Sequence, residues 1–212
     1  MLSTFSIVGF DDATGDLGIA VQSKFLAVGS IVPWAEAGVG AIATQAHANV
    51  SFGNHGLGML ADDMDIISIL EELLKHDDGR DLRQVGIVDA EGNTAAFTGE
   101  SCMEWAGHIT GPNYTCQGNI LTGEAVVHAM ATAYETTDDD LTERLLAALE
   151  AGLVAGGDRR GQQSASLLVV REGGGYGGMS NQLVDLRVDD HESPIEELKR
   201  LYQLHRLYFG LT

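Results

Sequence analysis

Apolar and polar positions divide the chain into blocks. Residues 4–10 (TFSIVGF) are apolar and β-branched, residues 11–16 (DDATGD) supply turn chemistry, and residues 17–28 resume a long apolar run. This pattern predicts a hairpin. Residues 38–46 (GVGAIATQA) are small and apolar on both faces, which predicts a third, buried strand. Helical spacing follows over residues 54–60 and 64–75, with Ile66, Ile67, Leu70, Leu73 and Leu74 on one stripe. Residues 84–89 and 94–98, joined by Glu91-Gly92-Asn93, predict a second hairpin. Residues 101–121 are glycine-rich and irregular, which predicts short strands and loops.

Helices are predicted over residues 125–134 and 141–154, and strands over 164–170 and 183–188 around the glycines at 173–175. The last helix is the clearest. Ser193 is its expected N-cap (Asp190 being the other candidate), Pro194 suits the first turn, Glu196 completes a capping box, and Gly210 stops it. Strands and helices thus come in groups rather than in strict alternation. That order predicts an α+β fold of largely antiparallel sheets covered by helix pairs. Doubly wound and barrel architectures fit poorly, and no glycine-rich nucleotide loop follows a strand.

Composition adds limits. A chain of 212 residues, 44% hydrophobic, predicts one domain over 1–212. No apolar run approaches the roughly 18 residues needed to span a bilayer. The first residues lack a basic region and a small-residue cleavage site, so a cytoplasmic protein away from membranes is expected. Cys102 and Cys116 have no C-x-x-C spacing and are expected to be buried thiols, with no metal site.

Charge is the most unusual property: 12 Lys+Arg against 31 Asp+Glu give a net −19. Such a surface repels phosphate backbones and excludes a nucleic-acid partner. The acids are scattered along the chain, as at Asp62-Asp63, Asp77-Asp78 and Asp138-Asp139-Asp140. This predicts a protein adapted to high salt, where repulsion is screened.

Several motifs carry a family resemblance: Thr4 to Val8, Ala20 to Gly29, Val32-Pro33-Trp34-Ala35, Ala43-Thr44-Gln45-Ala46, Arg83 to Gly86, Gln117-Gly118-Asn119, Gly157 to Ser164 and Val184 to His191. Together they resemble the domain-of-unknown-function 1028 family, assigned to the N-terminal-nucleophile (Ntn) hydrolase superfamily. The resemblance implies a four-layer αββα sandwich. It also implies hydrolysis of an amide bond in a small molecule or peptide, without a cofactor. In that chemistry a Ser, Thr or Cys at the mature N-terminus attacks a carbonyl, and its own α-amine is the base. Thr4 is then the first candidate nucleophile and Ser3 the second. Met1 and Leu2 precede both, and a bulky Leu2 opposes removal of Met1, so the rival expectation is an unprocessed, non-catalytic binding or scaffold protein.

Lys24, within an apolar segment beside Ser23, resembles the superfamily's basic helper; its alternative is an edge lysine reaching solvent. Asp158, read as ending a helix before a polar turn into a strand, resembles the support for the nucleophile. Its alternative is a loop acid paired with Arg159 or Arg160. Ser23, His47, Asn49 and Asn119 are the candidate substrate-binding residues, with Gln117 in a similar strand-end setting. Asp189-Asp190-His191 point in different directions and do not chelate one ion. The last helix carries more apolar residues (Ile195, Leu198, Leu201, Tyr202, Leu204, Leu207, Tyr208, Phe209) than one stripe needs, which predicts a homo-oligomer.

Overall fold

A computed structural model describes residues 4–210; the second candidate nucleophile, Ser3, lies outside them. The elements in chain order are β1 (Thr4–Asp11), β2 (Asp16–Ser23), β3 (Pro33–Glu36), β4 (Gly40–Ala46), α1 (Ser51–Ala61), α2 (Ile66–Lys75), β5 (Arg83–Asp89), β6 (Thr94–Thr98), β7 (Gly107–Gly111) and β8 (Tyr114–Asn119), followed by α3 (Ala125–Thr136), α4 (Leu141–Val154), β9 (Ser164–Val170), β10 (Gln182–Val188) and α5 (Pro194–Phe209). The strands form two sheets, in the orders β10-β9-β2-β1-β8-β7 and β3-β4-β5-β6. Every pairing is antiparallel, so the mixed α+β expectation holds.

The two-residue period of a strand sorts side chains between faces. Phe5 and Ile7 of β1 pack with Met130 of α3, Leu145 and Leu149 of α4 and Leu198 of α5. Val8 and Phe10 point the other way and meet Ile19, Val21, Ala41, Ala43 and Val88, so residues of both sheets share one cluster. Ile42, Val85 and Ile87 of the smaller sheet pack instead against Phe52 and Leu57 of α1 and Ile69 and Leu73 of α2. Burying each such side chain contributes roughly 1.5–3 kcal/mol. Small residues set the close approaches: a Cβ at Gly53 would run into the Trp34 ring, and one at Gly86 into the Gln117 and Thr115 side chains of the facing sheet.

Several expectations need correction. The apolar run 17–28 is not one strand; β2 ends at Ser23, and Ala27 takes a left-handed φ of 52° before a single 3-10 turn at Val28–Ser30. The backbone leaves the ladder because side chains claim its donors: Lys24 N–H donates to Asp158 Oδ2 at 3.1 Å, and Val28 N–H to Ser164 Oγ at 3.1 Å. Residues 38–46 begin as a turn, with Gly38 at φ 74°, and the strand runs from Gly40. Ahead of it lies β3, an edge strand of four residues starting at a proline, too short and too interrupted for apolar alternation to reveal. Residues 101–121 do form short strands and loops as expected, the strands being β7 and β8. Asp158 does not end a helix: α4 stops at Val154, and Asp158 forms an isolated bridge with Leu121.

The capping box at α5 is absent, because the Ser193 side chain makes no cap bond and Ser193 N–H donates to His191 Nδ1 at 3.0 Å. Asp190 accepts instead from Gln163 Nε2 at 3.1 Å. Gly210 does end the helix, at φ 66°. Cys102 and Cys116 are free, buried thiols, and burial pushes both above their ordinary range. Among the described residues no helix is long and apolar enough to cross a membrane.

Candidate functional site

The start of β1 lies between the end of β2 and the end of β8. Thr4 is paired in register with Ser23 on one side and Asn119 on the other, and Ser23 is paired in turn with Ser164 of β9. Directly opposed residues share a face, so these side chains all turn toward the smaller sheet. Thr4, Ser23, Asn119 and Ser164 have no exposed surface. Thr4 Oγ1 donates to Ser23 Oγ at 3.2 Å.

Behind this row lies a polar layer that hydrophobic patterning does not disclose. Gln84 of β5 is its hub: Oε1 accepts from Asn119 Nδ2 at 3.0 Å and from Gln45 Nε2 at 2.8 Å, while Nε2 donates to Gly118 O at 2.8 Å and Thr98 Oγ1 at 2.9 Å. Ser6 Oγ donates to Gln45 Oε1 at 2.7 Å and accepts from Gln117 Nε2 at 2.7 Å. Residues of both sheets are thereby tied in one largely buried network, open only at Thr98, where each bond is stronger than in water and each omission costlier. The space between the sheets is therefore divided: one end holds Val8, Phe10, Leu17 and Val88, and the other holds Thr4, Ser6, Gln45, Gln84, Gln117 and Asn119.

Backbone strain collects at the same end. Among the described residues, five that are not glycine have positive φ; Ala46 ends β4 next to Gln45, Ile120 directly follows β8 after Asn119, and Ala27 lies four residues past the end of β2 at Ser23. A β-branched residue such as Ile120, at φ 55°, is the most strained of these. Such residues cost on the order of 1–3 kcal/mol and concentrate where a chain must hold a fixed geometry.

Of the predicted site residues, Thr4, Ser23 and Asn119 come together. Asp158 brackets them from outside the sheet. Its carboxylate is fully buried and accepts from Lys24 N–H at 3.1 Å and Arg160 N–H at 2.8 Å, with Arg160 Nε at 3.6 Å. Lys24 is exposed, and its ammonium donates to Gln162 O at 2.9 Å. It also lines a cavity of about 530 Å³ with Gln162, Gln163 and His191.

His47 and Asn49 belong to a separate loop. Asn49 Nδ2 donates to Asp77 Oδ2 at 2.9 Å, and its Oδ1 accepts from Ser51 at the start of α1. His47 is exposed and its carbonyl accepts from Arg83 at 2.6 Å. Asp77 and Arg83 form a two-point ion pair at 2.8 and 3.0 Å. The Arg83 guanidinium holds the Asp77 carboxyl well below the usual carboxylate range, against burial, which acts to raise it. Ser6, Gln45 and Gln84 escaped the sequence reading as site residues. Their signal was a glutamine or serine at alternate positions of otherwise apolar strands.

Among the described residues, a mixed α+β fold of two antiparallel sheets and five helices, with a buried polar row at one end, defines the class. Within it the chain belongs to the family described as Family of unknown function (DUF1028), whose model matches residues 4–198. It is similar to the crystal structure of protein SPO2555 from Silicibacter pomeroyi, of the same family, with 34% identity and a TM-score of 0.89, covering 97% of this chain and 87% of that one. Anbu (ancestral beta-subunit) from Yersinia bercovieri aligns over 98% of this chain and 96% of that one at 10% identity and a TM-score of 0.38, a likeness too slight to carry an argument. No curated protein matches the chain.

Proposed function

We propose that this protein is an amide hydrolase of the N-terminal-nucleophile type, with Thr4 as nucleophile, acting on a small molecule or peptide. The observation that carries this reading is the Thr4 hydroxyl, held against Ser23 at 3.2 Å and flanked in register by Asn119. The helices packed on the outer faces of both sheets support a four-layer αββα sandwich. The reading requires removal of residues 1–3, which frees the Thr4 α-amine.

Thr4 Oγ1 then attacks the carbonyl carbon while its proton passes to the α-amine, whose ordinary pKa of about 7.7–8 leaves it a base near neutrality. The carbonyl π pair moves to oxygen, and Ser23 and Asn119 donate to that oxyanion. Collapse expels the substrate nitrogen, which takes the proton back from the ammonium and leaves an ester on Thr4. Water hydrolyses the ester to the free acid. Asp158 fixes the backbone at Lys24, and the Lys24 ammonium turns from Gln162 O toward the Thr4 amine to keep it neutral. No metal or cofactor enters the scheme. Ser3 takes the nucleophile's place if cleavage falls one residue earlier.

Intact-mass analysis of protein from its own cell, with turnover of a panel of amides by wild type and Thr4→Ala, tests the proposal. A species beginning at Thr4, with turnover lost in Thr4→Ala, is expected, or one beginning at Ser3 with turnover lost in Ser3→Ala; a uniform chain retaining Leu2 and no turnover would refute the proposal. The rival reading, a non-catalytic binding protein, draws on the absence of exposed surface on Thr4 and on the engagement of Lys24 by Gln162.

A further inference from the structure

The outer corner of the molecule formed by α5 and the β9–β10 connection carries an apolar surface that no other described residue covers. Tyr208 is 80% exposed, Leu207 77%, Tyr176 79% and Met179 89%, with Phe209 at 49% and Leu204 at 38%. Tyr176, Tyr208 and Phe209 line one hollow, Met179 lies beside it near Gly177, and Leu204 and Leu207 are exposed on the same last turns of α5. The Tyr176 ring meets Phe209 edge-on at 6.0 Å, and Phe209 stacks on His205 at 4.2 Å. A hollow of about 210 Å³ opens beside them, walled by Gly174, Gly175, Gly177, Leu183 and the three aromatic rings.

Charge distinguishes this face from the rest of the molecule. The chain carries 31 acids, yet residues 173–184 contain no charged group and residues 198–212 contain no acid. The cations of α5 are already neutralised: Lys199 by Glu150 at 2.6 Å, Arg200 by Glu197 at 2.6 Å, and Arg206 by Glu143 at 3.2 Å. The face is therefore an uncharged window in a strongly acidic surface. A basic partner would be drawn to the acidic surface elsewhere. A second copy of this chain, repelled elsewhere, can approach only where the acids are missing.

Area agrees with that occupant. At roughly 200 Å² for a whole aromatic side chain, the three exposed rings present about 400 Å². Met179, Leu204 and Leu207 add on the order of 200 Å². A standard interface buries about 800 Å² per partner, of which about 65% is apolar in homodimers, or roughly 500 Å².

We propose that this face is a homodimer interface, in which α5 and the β9–β10 connection of one copy meet the same elements of a second about a two-fold axis. A two-fold contact must be self-complementary, and this face carries both protruding side chains (Met179, Tyr208) and a glycine-walled hollow to receive them. Because each copy carries a net charge of −19, the dimer tightens as salt screens the repulsion between them.

Sedimentation equilibrium of the full chain at 0.1 M and 1 M salt tests this. Three variants are compared: Leu207→Ser with Tyr208→Ser, Met179→Ser, and Val154→Ser, which alters an equally exposed residue (82%) of α4. The expected result is a dimer that is tighter at 1 M salt, weakened more than about tenfold by either of the first two changes and unaffected by the third. All the altered side chains are exposed, and an unchanged melting curve of the monomer confirms folding. A monomer at every concentration in 1 M salt, or a dimer indifferent to both patch variants, would overturn the proposal.

Discussion

Thr4 and Ser23 stand opposite each other in the β1–β2 ladder, hydroxyl to hydroxyl at 3.2 Å, with no exposed surface on either. Under the proposed chemistry Ser23 aligns Thr4 Oγ1 and donates to the oxyanion. In processed protein, Ser23→Ala is expected to lower kcat/KM at least tenfold, since one buried hydrogen bond is worth about 1 kcal/mol and an oxyanion donor more. Steady-state kinetics with the best amide substrate checks this. An unchanged kcat/KM removes Ser23 from the mechanism.

Gln22 gives a prediction about stability. It faces the helix side of the larger sheet, in register with Phe5 and Ala165, and neither of its buried amide atoms has a hydrogen-bond partner among the described residues. An unsatisfied buried amide costs on the order of 1–3 kcal/mol, so Gln22→Leu is expected to stabilise the fold by about that amount. Thermal unfolding should shift upward by roughly 2–4 °C per kcal/mol. A lower melting temperature would contradict this assignment.

The Asp77–Arg83 pair sets part of the acid limit of stability. Asp77 is 9% and Arg83 18% exposed, and Arg83, with help from Asn49 and the Gly79 N–H, depresses the Asp77 pKa. A depressed carboxyl contributes stability that is complete above its unfolded pKa of about 3.9 and is lost as pH falls toward the folded value. Asp77→Asn should cost about 2–4 kcal/mol at pH 7. In urea titrations the gap between wild type and variant should be flat from pH 7 to 5 and narrow below pH 4. A gap that is constant down to pH 2.5 contradicts this assignment.

The acid excess predicts a response to salt. Raising ionic strength from 0.1 to 1 M shortens the screening length from about 10 to 3 Å. With a net charge of −19, the melting temperature should rise over that range. The measurement is calorimetry at matched protein concentration; a flat or falling melting temperature removes the high-salt reading.

Much of the fold was legible because burial here follows simple periods. Residues 164–170 are a short run ending in four apolar residues, Leu167 to Val170, and form β9 at those limits. The stripe read through Ile66, Ile67, Leu70, Leu73 and Leu74 gives α2, though Ile67 is 53% exposed and Ile69 is buried in its place; the helix start is set by Asp65, accepting from the Ile67 and Ser68 amides. What stayed hidden depended on contacts distant in sequence. Nothing within residues 17–28 announces that Asp158 and Ser164 will capture the Lys24 and Val28 amides and end the strand. Nor does the sequence around Gln45 announce that Gln84 stands across from it; a glutamine in an apolar strand reads equally as an outward residue. Thr4, Ser23 and Asn119 could be brought together on motif resemblance, whereas the network behind them required the register of two sheets.

The divided space between the sheets has a mechanical meaning. Apolar contact is non-directional, so the end built from Val8, Leu17 and Val88 works as a spacer, setting how far apart the sheets lie but tolerating lateral slip. Hydrogen bonds are angular, and sliding one sheet by a single residue, about 3.3 Å, would strip Gln84 of its partners in the other. Gln84 is thus a dowel pin. Substitutions at the spacer end change thickness and stability, whereas substitutions at the pin change alignment, and with it where Asn119 stands relative to Thr4.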